Sequence, residues 1–343
     1  MDIKKIEKFI KSRKYPLYHI NQIQRAVYKN YVDEWSKATS LPLQLREELS
    51  LKIPILSFSP SKILISGKSD AVKAALKLRD DLSVETVLLK LKPGHFSTCV
   101  SVQVGCAVGC PFCATGKTGL KRNLTAEEIS DQILFWKQHI NREGLEGDLK
   151  NIIFMGMGEP FFNYEAVKKT IKILNNRDLF NIGQRHISVS TFGYVPKITQ
   201  FAKDFPQANL AISLHSVSDE IRQKLVPLSG KFKLEKLSTA IKNYLQITNR
   251  KIFIEYVLLS GINDSAKKAK KLALWLRNAA PAKYFAVNLI PCNSVSKSFS
   301  APSPEKVKLF QNTLLDYNIN ATIRKSLGRD IKGACGQLAY KPF

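Results

Sequence analysis

Three closely spaced cysteines, Cys106, Cys110 and Cys113, give this chain its most informative pattern, C-x3-C-x2-C, with Phe112 directly before the last of them. Cysteine thiolates hold iron–sulfur clusters, and the usual set is four. Three thiolates would bind three irons of a 4Fe–4S cluster and leave the fourth iron open. An open iron is a place where a substrate or cofactor can bind.

The alternative use of these cysteines is a zinc site. Structural zinc takes four closed ligands. The nearest further candidates, His95 and Cys99, do not supply the usual paired spacing. The spacing therefore favours the cluster.

A glycine-rich segment, Gly156-Met157-Gly158-Glu159-Pro160, follows the predicted strand Asn151–Met155. Glycines let the backbone approach a ligand closely, and Glu159 can accept a hydrogen bond from an ammonium group. The alternative is a plain glycine turn. Its position at the end of a strand favours a binding role, because ligands of parallel sheets bind there.

Other polar residues also stand at predicted strand ends, which favours a ligand pocket. A lone buried histidine is more often structural, but here it is one of several such residues. They are Ser190, the run Ser213-Leu214-His215, and Asn293.

Two further cysteines could act as thiols. Cys335 has small neighbours, including Gly333 and Gly336, and an accessible thiolate there could act as a nucleophile. Cys99 precedes the cysteine cluster and is either a second reactive thiol or a core residue. A small buried cysteine is the alternative for both. Cys292 has no partner motif and is interpreted as non-catalytic.

Composition limits the class of protein. The 343 residues include 53 Lys and Arg against 28 Asp and Glu, a formal net charge of +25. Such a charge favours a polyanion, usually nucleic acid, although a lysine-rich proteome would explain part of it. We find no apolar run long enough for a membrane span and no signal peptide at the charged N-terminus. Six cysteines, three of them clustered, indicate a reducing cytoplasm rather than a secreted disulfide framework.

Strands alternate with helices from about residue 97, which predicts an α/β fold with a parallel sheet. Six such units fall short of the eight of a closed barrel, so the sequence predicts an open, partial (β/α)6 barrel. We predict an N-terminal, mostly helical and basic accessory region at 1–90, a core at 91–328 and a tail at 329–343. The predicted strands are Thr98–Val104, Asn151–Met155, His186–Thr191, Leu210–Leu214, Ile252–Leu258, Phe285–Ile290 and Ala321–Arg324.

Taken together, these motifs resemble the RlmN/Cfr family of radical S-adenosylmethionine (SAM) methyltransferases, which methylate an adenine of 23S ribosomal RNA. The resemblance extends over nearly the whole chain, to Leu338. The segments that carry it are the cluster loop with Phe112-Cys113-Ala114-Thr115-Gly116, Arg122-Asn123-Leu124-Thr125, Gly156 to Pro160, Ser213 to His215, Asn288-Leu289-Ile290-Pro291, and Ala334-Cys335-Gly336-Gln337-Leu338.

The resemblance implies a radical SAM barrel and a mechanism that uses two SAM molecules. Cys335 would take a methyl group from one SAM. A second SAM, bound at the cluster on Cys106, Cys110 and Cys113, would yield a 5′-deoxyadenosyl radical that removes hydrogen from this methyl. The carbon radical would add to adenine, and Cys99 would release the product and form a Cys99–Cys335 disulfide.

The resemblance also implies roles for other residues and partners. Glu85 matches the proton acceptor, and the SAM contacts would be Gly158, Glu159, Ser190, Ser213, Leu214, His215 and Asn293. The substrates would be adenine 2503 of 23S rRNA and adenine 37 of tRNA. The reductant would be flavodoxin or ferredoxin, and the protein a cytoplasmic monomer without membrane contact.

Two prolines, Pro160 and Pro291, match the branch of this family that methylates carbon C2. C8 methylation, which confers antibiotic resistance, remains a second hypothesis. A third, of a different class, is a non-catalytic iron–sulfur or zinc RNA-binding protein. A binding module would not need the thiol of Cys335.

Overall fold

A ten-stranded mixed sheet runs through the computed structural model, which describes residues 1–295 and 298–339. Its strands lie in the order β1-β2-β3-β4-β7-β8-β9-β10-β11-β12. A separate two-stranded hairpin is formed by β5 and β6. The strands are β1 (Phe58–Ile65), β2 (Ala71–Leu78), β3 (Ser83–Lys92), β4 (Gly94–Cys99), β5 (Gln103–Gly105), β6 (Leu120–Asn123), β7 (Gly147–Phe154), β8 (Ile187–Thr191), β9 (Asn209–Ser213), β10 (Ile252–Leu258), β11 (Phe285–Pro291) and β12 (Asn320–Ile323).

Ten α-helices occur in the described residues, and most of them connect parallel strands. Three precede the sheet, in the predicted accessory region. The helices are α1 (Ile3–Ser12), α2 (Tyr18–Tyr28), α3 (Leu43–Lys52), α4 (Ala126–Arg142), α5 (Tyr164–Asn175), α6 (Val195–Asp204), α7 (Asp219–Leu225), α8 (Leu234–Thr248), α9 (Ala266–Ala279) and α10 (Pro304–Asp316). Short 3₁₀ helices cover Trp35–Lys37, Thr115–Thr118, Pro160–Asn163, Gln184–His186, Pro227–Lys231 and Ala282–Tyr284.

The parallel part of the sheet begins at β4 and continues through β12. Strands β1 to β4 pair antiparallel, so the sheet continues across the predicted boundary at residue 90. The pairing of β1 with β2 shifts register between Pro60 and Lys62. All the carboxyl ends of the parallel strands therefore lie at one edge of the sheet, where the predicted site residues follow them.

The predicted strand Thr98–Val104 is wrong as a single element. Pairing with β3 and β7 ends at Cys99, and the chain leaves the sheet before Gln103 pairs with β6 instead. The turn is fixed by hydrogen bonds from Gly156 N to the Val100 carbonyl (3.0 Å) and from Val102 N to the Met157 carbonyl (2.8 Å). This bend directs the cysteine loop over the sheet edge.

A reciprocal pair of hydrogen bonds caps the start of α4. The Glu128 amide donates to the Thr125 hydroxyl (3.1 Å), and the Glu128 carboxylate accepts from the Thr125 amide (2.8 Å). This reciprocal pair satisfies two donors that a helix N-terminus otherwise leaves open. Buried aliphatic side chains of the strands and helices form one large core. A smaller core lies under the cysteine loop and includes Val108, Phe112 and Val226.

Candidate active site

A cavity of about 680 Å³ opens at the carboxyl ends of the parallel strands. Most of the predicted site residues meet in its wall, although they come from segments far apart in the chain. Those that line it are Cys99, Cys106, Cys110, Cys113, Gly158, Glu159, Ser190, Ser213, His215, Asn293 and Cys335. Two predicted residues, Glu85 and Leu214, do not line it.

The cysteine loop between β5 and β6 is held rigidly by close backbone contacts. Gly109 has a φ of +74°, in the left-handed region that glycine tolerates best. A Cβ at Gly116 would lie 2.6 Å from the Cys110 carbonyl oxygen, so only glycine fits there. The Cys113 amide also donates to the Cys110 carbonyl (3.1 Å). The loop thus presents its three thiols to the cavity in a fixed arrangement.

Burial and mutual repulsion disfavour thiolates at the cysteine loop in the absence of a bound cation. Burial, with smaller contributions from the charges of Glu159 and of a Cys113 thiolate, raises the pKa of the Cys106 thiol to about 12 and that of Cys110 well above its usual range. A bound metal displaces such protons. A bound cationic group would therefore stabilise these cysteines as thiolates.

No three His, Cys, Asp or Glu side chains in residues 1–295 and 298–339 converge on one metal ion. A 4Fe–4S cluster binds each cysteine through a different iron, so its ligands stand farther apart than those of a single ion.

The glycine segment after β7 packs tightly against the bend after β4. A Cβ at Gly156 would lie 2.6 Å from the Val100 carbonyl group, and a Cβ at Gly158 would lie 2.5 Å from Gln103 Cβ. Gly158 also has a φ of +100°. The Glu159 amide donates to Gln103 Oε1 (2.8 Å). These contacts place the Glu159 carboxylate in the cavity wall.

The Glu159 carboxylate is buried and held by two backbone amides. Its Oε2 accepts from Phe192 N (2.9 Å), and its Oε1 accepts from Phe161 N (3.0 Å). Burial nevertheless raises the pKa of Glu159 to about 7. Such a carboxylate can bind an amino group and would be stabilised by its charge.

His215 serves as a neutral hydrogen-bonding residue rather than as an acid. Its Nδ1 accepts from the Val257 amide (3.1 Å), which places the ring proton on Nε2. Burial and the charge of Arg222 lower the pKa of His215 to about 3. The ring contacts Phe112 edge to face, with centroids 5.1 Å apart.

Two other predicted SAM contacts stand next to each other, and a third does not reach the cavity. The hydroxyls of Ser190 and Ser213 lie 3.2 Å apart, at the ends of β8 and β9. Leu214 is fully buried, and its amide donates to the Glu255 carbonyl (3.0 Å). Leu214 therefore belongs to the core of the sheet.

The tail places Cys335 beside Cys99 in the cavity. Asn293 Nδ2 donates to the Cys335 carbonyl (3.2 Å), and the Thr115 hydroxyl donates to the Leu338 carbonyl. Desolvation in the cavity wall raises the pKa of the Cys335 thiol to about 11, although this residue is partly exposed, and raises that of Cys99 to about 12. The charge of Arg324 opposes both shifts. All six cysteines lie in the described residues and are free thiols, so the Cys99–Cys335 disulfide is not formed here.

Glu85 lies behind the tail, outside the cavity wall. Its Oε1 accepts from Lys73 Nζ (2.8 Å), and its Oε2 accepts from the Ala339 amide (2.9 Å). Lys73 Nζ also lies 3.4 Å from the Lys332 carbonyl oxygen. This buried ion pair therefore joins β2 and β3 to both sides of Cys335.

The sequence did not predict a cluster of three polar side chains, Glu255 in β10, Asn288 in β11 and Arg324 after β12. Glu255 lines the cavity, accepts from Asn288 Nδ2 (2.7 Å), and lies 3.6 Å from Arg324 Nη1. Register alone aligns Glu255 with Asn288 on neighbouring strands. The one available signal was an acidic residue within the apolar run Ile252–Leu258.

The known proteins to which this chain is similar agree with the site described above. Residues 100–273 match the Radical SAM superfamily. The fold matches the crystal structure of a radical SAM methyltransferase from Sphaerobacter thermophilus, with a TM-score of 0.91 and 38% identity, covering 98% of this chain and 97% of that one. The site and the fold thus define a radical SAM protein.

Two similar proteins identify the family within the radical SAM class. The chain is 38% identical to the ribosomal RNA large subunit methyltransferase Cfr of Clostridium botulinum, over 98% of this chain and 96% of that protein. It is 39% identical to the probable dual-specificity RNA methyltransferase RlmN of Dictyoglomus thermophilum, over 98% and 94%. The chain belongs to the RlmN/Cfr family of radical SAM RNA methyltransferases. In the described residues, no helix combines the length and apolar character needed to cross a membrane.

Proposed function

We propose that this protein methylates carbon C2 of adenine 2503 in 23S rRNA, and adenine 37 of tRNA, in the cytoplasm. One observation carries the proposal: a single cavity brings together the cysteine loop, Glu159 and the two thiols of Cys99 and Cys335. A cofactor site and two thiols outside it are what transfer through a methylated cysteine requires.

Each part of the site has a role in this proposal. Cys106, Cys110 and Cys113 would hold the 4Fe–4S cluster, and Glu159 would orient the amino group of SAM. When bound, the cluster and SAM would supply a methyl group and a 5′-deoxyadenosyl radical. The hydroxyls of Ser190 and Ser213, the His215 ring and the Asn293 amide can orient the rest of SAM.

The thiols would carry the methyl group and release the product. The Cys335 thiol would lose its proton and attack the methyl carbon of one SAM, with S-adenosylhomocysteine as the leaving group. After a hydrogen atom is removed from this methyl group, its carbon would bond to adenine. Cys99 attacks the Cys335 sulfur, which frees the RNA and leaves a disulfide for an external reductant. Glu85 is the proposed proton acceptor, and this role requires Lys73 or Ala339 to release one of its oxygens.

The basic surface of the cavity supports an RNA substrate. Lys68, Lys90, Arg324 and Lys325 all line the cavity, and the chain carries a net charge of +25. Binding to RNA should therefore weaken steeply with salt, because each neutralised phosphate adds about −0.7 to −0.9 to the log–log slope. A flat dependence would remove charge as support for this substrate.

The choice of C2 over C8 rests on Pro160 and Pro291. Pro160 begins the short 3₁₀ helix after Glu159, and Pro291 ends β11 beside the cavity. The relatives include both RlmN and Cfr at nearly equal identity, so identity does not separate the two products. C8 methylation is the alternative.

The test is a digest of 23S rRNA and tRNA after anaerobic treatment with reconstituted protein, SAM and reductant. Mass spectrometry with retention standards should find 2-methyladenosine, whereas 8-methyladenosine would establish the alternative. Cys335→Ala should abolish transfer and leave the cluster absorbance intact. Transfer by that variant would overturn the methylcysteine mechanism.

A further inference from the structure

The structure contains a buried cation that the proposed mechanism does not use. Arg222 on α7 is 0% exposed. Its Nη2 donates to the Phe192 carbonyl, and its Nη1 lies 3.4 Å from the Phe232 carbonyl oxygen. Its Nε has no hydrogen-bond partner. An arginine side chain offers five N–H donors, and only Nη1 and Nη2 of Arg222 have an acceptor.

Within residues 1–295 and 298–339, no carboxylate lies within 4 Å of the Arg222 guanidinium. Asp219, one turn earlier on α7, accepts instead from the Leu234 amide (2.9 Å). A buried charge is costly unless an opposite charge compensates it. Arg222 therefore has no direct ion-pair partner among the described residues, although the charge of Asp219 acts on it from a distance.

The cysteine loop is the place where a compensating anion would form. Arg222 and Val226 lie in the same turn, joined by a 2.7 Å hydrogen bond from Val226 N to the Arg222 carbonyl. Val226 packs with Val108 and Phe112 and lines the cavity together with Cys110. The next residue, Pro227, lies 3.9 Å from where a Cβ of Gly109 would be.

The electrostatics agree with this placement. Burial lowers the pKa of Arg222 to about 10, and the charges of Asp219 and of a thiolate at Cys110 oppose this shift. The Arg222 charge also lowers the pKa of His215, whose ring contacts Phe112. The backbone carbonyls of Phe192 and Phe232 would keep the guanidinium fixed when the cluster is present or absent.

We propose that Arg222 is a fixed positive countercharge beneath the iron–sulfur cluster and makes the cluster easier to reduce. The inference rests on the proposed cluster site. An external donor supplies one electron to the cluster, whose iron is reduced as the donor is oxidised. That electron adds negative charge to a group already made anionic by thiolates, so a nearby cation stabilises the reduced state more than the oxidised state.

The experiment compares the midpoint potential of the reconstituted cluster in wild type, Arg222→Gln and Arg222→Lys, by redox titration with electron paramagnetic resonance detection. Arg222→Gln should shift the potential to a more negative value. Arg222→Lys keeps the charge and should restore most of the shift. Arg250→Gln is the matched control, because Arg250 also has an unpartnered Nε but bonds Asn209 at the opposite end of the strands. Its potential should equal that of wild type.

The outcomes separate this inference from the proposed function. A wild-type chain that binds no 4Fe–4S cluster would refute the cluster site itself. A cluster in Arg222→Gln with the wild-type potential would overturn only the countercharge. Loss of the cluster in Arg222→Gln with rescue in Arg222→Lys would support it. Loss of the cluster and of the cooperative thermal transition in both variants would make Arg222 a purely structural residue and overturn the inference.

Discussion

The amide of Ala114 donates a 2.8 Å hydrogen bond to the carbonyl oxygen of Gly336. Each residue directly follows a cysteine of the site, Cys113 in the loop and Cys335 in the tail. A shift of the cysteine loop would therefore move the tail with it. The proposed cluster and the proposed methyl carrier are linked by backbone, independently of any side chain.

The Lys73–Glu85 pair should hold the tail in place. Lys73→Met leaves the buried Glu85 carboxylate without its cation, and we expect it to lower the free energy of unfolding by about 3 kcal/mol. Lys73→Met with Glu85→Met should cost less than Lys73→Met alone, because no unpaired charge remains. Urea unfolding measures both. Equal losses in the two variants would show that the pair does not act as a unit.

Arg324 should make both thiols more reactive. Its charge lowers the pKa of Cys99 and Cys335, although burial raises both overall. Arg324→Met should therefore slow alkylation of these two cysteines by iodoacetamide at pH 8 severalfold. The pH at which their alkylation rate reaches half its maximum should also rise.

Peptide mapping by mass spectrometry identifies each alkylated cysteine. Arg324→Lys should keep most of the reactivity. Arg277→Met, on the exposed face of α9, should leave both rates unchanged. Wild-type rates in Arg324→Met would show that its charge does not reach the thiols.

Binding of SAM should depend on pH through Glu159. Because burial raises the pKa of Glu159 to about 7, the carboxylate is ionised above pH 7 and loses its charge below it. The ratio of the dissociation constants of Glu159→Gln and wild type should fall about tenfold between pH 8 and pH 6. Titration of SAM itself cancels in this ratio. A ratio that does not change with pH would remove Glu159 as a charged contact.

Gly156 and Gly183 form a matched pair of glycines. Neither needs a positive φ, but a Cβ at Gly156 would lie 2.6 Å from Val100 backbone, while the nearest atom at Gly183 is 4.0 Å away. Gly156→Ala should lower the free energy of unfolding by roughly 1–3 kcal/mol and weaken SAM binding. Gly183→Ala should be nearly neutral in both measurements. Similar stability of the two variants would contradict the close packing at Gly156.

Local patterns in the sequence predicted most of the elements. Strand β10 has the predicted bounds, and β8 begins one residue after its predicted start at His186. Helical and strand periodicity are local properties of the chain, so they are readable without knowledge of partners. Pairing is not local. The run Thr98–Val104 alternates as a strand should, yet its last residues pair with β6, and the Val100 carbonyl accepts from the Gly156 amide, beyond the end of β7.

Only part of the site was predicted, because local patterns can be read from the sequence and contacts between distant segments cannot. Cysteine spacing and strand-end position identified residues that do lie together in the cavity wall, from Cys106 to Asn293. The contact of Glu85 with Ala339 joins residues 254 positions apart, and no local pattern encodes it. Arg222 lies in a short helix that the periodicity did not reveal, and its environment is visible only in the folded chain.

The outer strand of the sheet has a consequence for the behaviour of this protein at high concentration. A long unpaired sheet edge can recruit strands from other molecules and start aggregation. In β1, Pro60 offers no N–H to such a strand, and the shift in register between Pro60 and Lys62 disturbs the edge further. At the opposite edge, β12 has only four residues. Together with a net charge of +25, these edges should keep a ten-stranded sheet from growing by addition of further chains.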